Sequence, residues 1–421
     1  LSPSISICFD VLPALSPHTL PSILRFYSFT ILRFTDFAAA LLSRLPILPF
    51  NQSEAGMKEI REIIRQYDAA ERGKHRFALA TVVHVEGSSY RKEGARMLVR
   101  EDGIWTGGIS GGCLERDALR KAQFALLKDR AQVVTYDTTL EDEKQIGVGL
   151  GCNGIIDVLM APIRSEDPHN PLEVLRSCLP LRETSLVLTL IADPAGRSKI
   201  PPGGALRLTT PDDLEAHFPP EALESLREEV EAARSSGRSR VTALEGMELF
   251  VEVLPPAPRV VICGGQYDVY PLLRLSRELG WLPELVYDSS KASREMMELS
   301  EKVHASLDSV PVDERTAFLI MAHDFRTDKE NLRLALQTEV PYIGMLGPVK
   351  RRNKIIAELE SEGTPLQESD RQRLFNPVGL DIGSTTPETI ALAILAEIQG
   401  FFAGKDMPSL RTRQGAIHAR D

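Results

Sequence analysis

Cysteine is scarce in this chain of 421 residues: there are five, Cys8, Cys113, Cys152, Cys178 and Cys263. The number is odd and no CxxC occurs, which argues against a disulfide scaffold and a structural zinc site. Free thiols in a reducing, cytoplasmic setting fit better. No Ser–His–Asp order, HExxH or complete P-loop is present, so neither a hydrolase nor a kinase has support. A surplus of positive charge is missing as well. The formal net charge of −10 disfavours nucleic acid as a partner, and Lys350-Arg351-Arg352 reads as a solvated helix start. The apolar stretches near the N-terminus are broken by Arg25, Arg33, Asp36 and Arg44, so they do not span a bilayer and no membrane partner is expected.

Residues 1–56 are rich in Ser, Pro, Leu and Phe, show neither helical nor strand period, and lack the basic start of a secretory signal. They are expected to be upstream, non-native sequence or a disordered extension, with a clean amphipathic helix following from Met57 (about 57–73). Residues 57–254 read as a mixed α+β domain. Pro255-Pro256-Ala257-Pro258 (255–258) is a stiff linker. Residues 259–402 alternate strand and helix, which predicts a doubly wound parallel sheet. Residues 403–421 are expected to be a disordered tail. The predicted class is therefore α/β, with a mixed N-terminal domain before a Rossmann-like one.

The stretch Trp105-Thr-Gly-Gly-Ile-Ser-Gly-Gly-Cys-Leu-Glu115 carries the most chemistry. Gly107-Gly108 and Gly111-Gly112 flank Ser110 and let backbone approach a ligand closely. A helix predicted to start near Cys113 would offer unpaired N–H groups to an anion and favour the thiolate of Cys113. Glu115 either complements the helix dipole or hydrogen-bonds a ligand. A second glycine segment, Gly147 to Gly154, surrounds Cys152 and Asn153. Taken singly, either segment could simply turn a corner between strands. Two that each hold a cysteine point to a ligand site.

Gly264-Gly265-Gln266-Tyr267-Asp268 follows an apolar strand and opens a helix, with Asp288 about twenty positions later, where a dinucleotide fingerprint belongs. The glycine pattern is incomplete, because Gln266 and Val269 stand where the second and third glycines belong. His323-Asp324 follows another strand, where His323 is a base or ligand contact and Asp324 a contact or a helix cap. Asp381, within Gly379 to Gly383, either faces the same crevice or closes a turn.

Gly107 to Glu115 resembles the GSxSGGCxE signature of the XdhC/CoxI family. Gly149 to Gly154 is similar to its second loop. Asp268 to Trp281, His323-Asp324, Pro341 to Gly347 and Gly379 to Gly383 resemble further family motifs, so that the resemblance runs from Met57 to about residue 402. It implies an accessory protein of molybdenum hydroxylases of the xanthine or carbon monoxide dehydrogenase type. Such a protein binds molybdenum cofactor, supports its sulfuration and passes it to the apoenzyme. A molybdenum hydroxylase apoenzyme and a cysteine desulfurase are then the implied partners. A homodimer is a further expectation. Gln266 departs from a family glycine and Tyr267 from a position often held by His, which weakens dinucleotide binding. The competing readings are an NAD(P)-dependent oxidoreductase using the C-terminal domain and a non-catalytic docking scaffold.

Overall fold

The structure, a computed structural model, describes residues 54–70, 74–138, 154–210 and 212–412. The expectations for residues 1–53, for 413–421 and for the second glycine segment up to Asn153, including Cys152, lie outside the described residues. Helix α1 (Glu54–Ala69) begins at Glu54 rather than Met57.

The first sheet is antiparallel and is built from β1 (Phe77–Gly87), β2 (Arg96–Arg100), β3 (Trp105–Gly107), β4 (Gln132–Asp137) and β5 (Gly154–Ile163), in the order β3-β2-β1-β5-β4. Its side chains alternate between two faces, as the pleat requires. One face holds Ala78, Ala80, Val82, Met97, Val99, Val158 and Met160. It is covered by α2 (Glu115–Lys128) through Ala118, Ala122, Ala125 and Leu126. The small alanines let helix and sheet approach closely. The opposite face places Val83 and Leu159 against Ile191 and Phe250 of a second sheet.

That second sheet is the part least visible in the sequence. After α3 (Pro171–Cys178) come β6 (Ser185–Ala192), β7 (Ala205–Leu208), helices α4 (Asp212–His217) and α5 (Pro220–Ser236), then β8 (Arg240–Leu244) and β9 (Met247–Leu254). The strands order as β7-β6-β9-β8, and their outer face packs Leu188, Leu190, Leu249 and Val251 against Leu214, Leu226 and Ala233 of α4 and α5. The mixed region is thus two sheets face to face, each backed by helices. Arg96 of β2 and Glu252 of β9 form an ion pair between them, with side chains 4% and 2% exposed.

The third sheet is parallel. It comprises β10 (Arg259–Cys263), β11 (Leu282–Val286), β12 (Lys302–His304), β13 (Thr316–Ile320), β14 (Tyr342–Met345) and β15 (Leu374–Phe375), in the order β12-β11-β10-β13-β14-β15. The helices between them are α6 (Val269–Leu279), α7 (Arg294–Leu299), α8 (Phe325–Leu336), α9 (Val349–Ser361) and α10 (Glu368–Arg373), and α11 (Pro387–Phe402) closes the fold. Val260, Ile262, Leu285 and Leu319 meet α6 and α11 on one face, while Val261, Phe318, Ile320 and Ile343 meet α8 and α9 on the other. This strand order is that of a Rossmann sheet, whose topological switch point lies between β10 and β13. The predicted α/β class with a C-terminal doubly wound sheet is what the chain forms.

Candidate functional site

Arg96 anchors the start of the first glycine loop. Its carbonyl accepts the Gly108 N–H at 2.7 Å, and a Cβ on Gly107 (φ 83°) would collide with that same carbonyl oxygen. Only glycine fits there. The backbone N–H of Arg96 donates in turn to Glu59 Oε1 of α1 at 2.6 Å. Sequence reasoning missed Arg96, because a lone arginine opening a strand carries no pattern.

Ser110 organises the rest of the loop. Its N–H and hydroxyl donate to Glu115 Oε1 and Oε2 at 2.8 and 2.6 Å. Its hydroxyl oxygen accepts the N–H groups of Gly112 at 3.2 Å and Leu114 at 3.1 Å. These N–H groups are spent on Ser110, and α2 starts at Glu115, within two residues of the start expected near Cys113. Glu115 is buried, and burial pushes its carboxyl up. The hydrogen bonds from the Ser110 hydroxyl and N–H, and from the Glu115 and Ile109 N–H groups, outweigh that and hold it below the usual carboxylate range.

The N–H groups of Gly111 and Cys113 have no acceptor among the described residues. Cys113 is a free, half-buried thiol with Sγ 3.7 Å from Ser110 Oγ. Gly112 lies at φ 111°, and none of the described residues stands within 4 Å of the place a Cβ would take. The Tyr90 ring, 73% exposed, lies against Gly111. The loop therefore presents two backbone donors without an acceptor among the described residues, next to one half-buried thiol.

Cys152 and Asn153 are not described, but the residue after them is. Gly154 opens β5 opposite Gly87, where a Cβ would sit 2.5 Å from the carbonyl oxygens of Glu86 and Ser88. The far end of the second glycine segment thus reaches the sheet edge at which β1 ends. A cavity of about 560 Å³ opens beside Gly107 and is bounded by Lys58, Arg91, Glu278 and Trp281, a volume within the range of small-molecule sites.

The other predicted residues gather at the C-terminal edge of the parallel sheet. Gly264 runs close to β13, where a Cβ would lie 2.6 Å from the Met321 carbonyl oxygen, and Gly265 lies under the Tyr287 ring. Asp268 Oδ2 and His323 Nε2 are 2.6 Å apart. Asp324 caps α8, accepting the N–H and hydroxyl of Thr327 at 2.8 and 2.7 Å. Those bonds hold its carboxyl low. Asp288 is similarly turned on its own loop, with Ser290 Oγ at 2.7 Å and Lys291 Nζ at 3.3 Å. Asp381 is exposed on the loop before α11. Asp328, which the sequence pattern does not single out, is buried and braces this edge by accepting the Ala322 N–H at 2.9 Å and Arg351 Nη2 at 2.6 Å.

A two-sheet α/β body bearing a glycine–cysteine loop, followed by a Rossmann sheet, defines the class. Residues 70–137 match the description "XdhC and CoxI family", and residues 260–398 match the "XdhC Rossmann domain". A probable xanthine dehydrogenase subunit from Bacillus subtilis is 28% identical over 340 residues, spanning 79% of this chain and 94% of its own length. The molybdenum cofactor insertion chaperone PaoD of Escherichia coli is 24% identical over 320 residues, spanning 76% and 81%. The crystal structure of a xanthine dehydrogenase from Bacillus halodurans superposes with a TM-score of 0.60 at 27% identity, spanning 85% of this chain and 98% of that one. Residues 70–137 and 260–398 thus resemble the two domains of the XdhC/CoxI family.

Proposed function

We propose that the protein is a maturation factor for molybdenum hydroxylases of the xanthine or carbon monoxide dehydrogenase type. In this reading it holds molybdenum cofactor at the Gly107–Cys113 loop and delivers it to the apoenzyme. The observation that carries the reading is the loop held by Ser110 and Glu115, which leaves the Gly111 and Cys113 N–H groups without an acceptor among the described residues and sets the half-buried Cys113 thiol beside them. Backbone N–H groups suit phosphate or oxo groups, and a soft thiolate suits molybdenum or a transferable sulfur. When bound, the cofactor supplies the metal centre that the client enzyme uses; the chain itself binds, orients and shields. The names of two relatives, a molybdenum cofactor insertion chaperone and a xanthine dehydrogenase subunit, agree with this role.

Sulfuration of the cofactor, with a cysteine desulfurase as donor, is the finer part of the proposal, with Cys113 in the position to receive sulfur. Cys152 and Asn153 are proposed as its neighbours. A cytoplasmic location and a homodimer complete the reading. No helix of the described residues is long and apolar enough to cross a membrane.

The NAD(P) alternative has less support. A dinucleotide pyrophosphate needs an open glycine turn and a helix N-terminus free of negative charge. Here the Tyr287 ring covers Gly265, and the Asp268 carboxylate stands at the start of α6. The test of function is to produce an apo molybdenum hydroxylase with and without this chain. The expected result is a several-fold rise in its molybdenum and pterin content when the chain is present; equal content would refute delivery.

A further inference from the structure

Helix α2 packs one side on the first sheet through Ala118, Ala122 and Ala125 and turns the other outward. Its outward ridge follows the i, i+4 spacing of a helix. Arg116, Arg120, Phe124 and Lys128 lie along it, with Lys121 and Leu127 beside them, and all six are exposed. Leu127 is 79% exposed and Phe124 47%. Among the described residues, none of the four cations has a carboxylate partner. The acids of the same helix are engaged elsewhere: Glu115 holds Ser110, and Asp117 accepts the Tyr136 hydroxyl at 3.2 Å. Exposed arginines of other helices do find carboxylates, as Arg65 meets Glu62, Arg227 meets Glu215, Arg294 meets Glu298 and Arg333 meets Glu330.

Helix stability does not account for this ridge. Arg116 and Arg120 repel each other at i, i+4, and Arg116 in the first turn opposes the helix dipole. Only Lys128 is locally favoured, in the last turn and 5.5 Å from the centre of the Phe124 ring. Nor does composition account for it, since the chain as a whole carries −10. An exposed apolar pair bordered by charges of one sign is suited to a protein interface, and its complement is acidic. A second copy docked on the same ridge about a two-fold axis would set cations against cations. The position is telling too, because α2 starts two residues after Cys113.

We propose that the outward ridge of α2 is the docking surface for the client apoenzyme, which meets it with an acidic protein face around an apolar contact. Phe124 and Leu127 fill the centre of the contact, and Arg116, Arg120, Lys121 and Lys128 steer and orient the approach. A client seated there lies next to the Cys113 loop, where cofactor would pass across. The choice of a molybdenum hydroxylase as occupant rests on the maturation role proposed above; the acidic character of the occupant rests on the charge of the ridge.

The experiment measures binding of the full chain to an apo molybdenum hydroxylase by biolayer interferometry, at about 50 mM and about 300 mM salt. The variants are Arg116→Glu/Arg120→Glu, Leu127→Ser, and Arg227→Glu/Arg234→Glu on α5 as a control with the same change in net charge. The expected result is binding that weakens with salt, is about tenfold weaker in Arg116→Glu/Arg120→Glu, dissociates about threefold faster in Leu127→Ser, and is unchanged in the control. Unchanged melting temperatures and unchanged molybdenum and pterin content of the chain itself check that the variants fold and keep the cofactor site. Equal affinity in all variants would overturn the proposal, and so would equal weakening by the α2 and α5 charge reversals, which would reduce the effect to net charge. Self-association that only the α2 variants abolish, with hydroxylase binding intact, would overturn it and assign the ridge to a second copy. No binding by wild type would overturn it as well; if the chain still retains cofactor through Cys113, the docking surface fails while the cofactor site stands. Binding through α2 with no rise in the molybdenum content of the hydroxylase would keep the surface and refute delivery.

Discussion

Glu115 grips Ser110 with both carboxylate oxygens, one on the backbone N–H and one on the hydroxyl. That double hold makes a loop rich in glycine into a defined surface beside Cys113. Hydrogen bonds to a charged, partly buried acceptor are among the stronger ones. Glu115→Ala should therefore cost about 2 kcal/mol of stability and speed alkylation of Cys113 by a maleimide at fixed pH. Unchanged alkylation would show that the loop does not depend on Glu115.

The same contact sets an acid limit. The Glu115 carboxyl lies below its ordinary value in the folded chain, because its hydrogen bonds outweigh the opposing effect of burial. A carboxyl depressed on folding contributes stability that is present above its unfolded pKa and is lost as pH falls through the folded one. The melting temperature difference between wild type and Glu115→Gln should be largest near neutrality and shrink below about pH 4. Thermal melts across that range check it, and a constant difference would contradict it.

The glycines are not equivalent. A Cβ at Gly107 meets the Arg96 carbonyl, whereas at Gly112 it meets none of the described residues and only the positive φ opposes it. Gly107→Ala should cost about 3 kcal/mol and Gly112→Ala about 1 kcal/mol by chemical denaturation. Equal costs would mean that the close approach at Gly107 relaxes freely.

Arg96 ties the loop to the two-sheet core through its ion pair with Glu252. Removing one partner of a buried pair strands the other charge, so Glu252→Ala should lose about 4 kcal/mol. The double variant Arg96→Met/Glu252→Leu should recover most of that loss. A double variant as unstable as the single one would mean that the pair is needed for more than its charge balance.

Much of this fold was legible because its strands repeat simple patterns. The apolar runs at Arg259–Cys263 and Ala317–Met321, each followed by a helix, announce a parallel sheet that is buried on both faces. The cap at Thr386 with Pro387 in the first turn places α11. The two-sheet arrangement of residues 77–254 was not legible. Short strands such as Ala205–Leu208 and Arg240–Leu244 carry too few residues to show a period, and their pairing is set by contacts far along the chain. The glycine loop was visible as composition. Its anchors, Arg96 and Tyr90, were not, since each is a single residue supplied by a distant turn of sequence. Asp268 and His323 were separately visible at strand ends, and only the strand order β10–β13 brings them together.

The central claim is that the Cys113 loop holds molybdenum cofactor. The most direct measurement is the molybdenum and pterin content of the gently purified protein, produced in a host that makes the cofactor, for wild type and Cys113→Ala side by side. Wild type should retain both metal and pterin, and Cys113→Ala should retain several-fold less at an unchanged melting temperature. Equal retention by the two proteins, or none by wild type, would contradict the account.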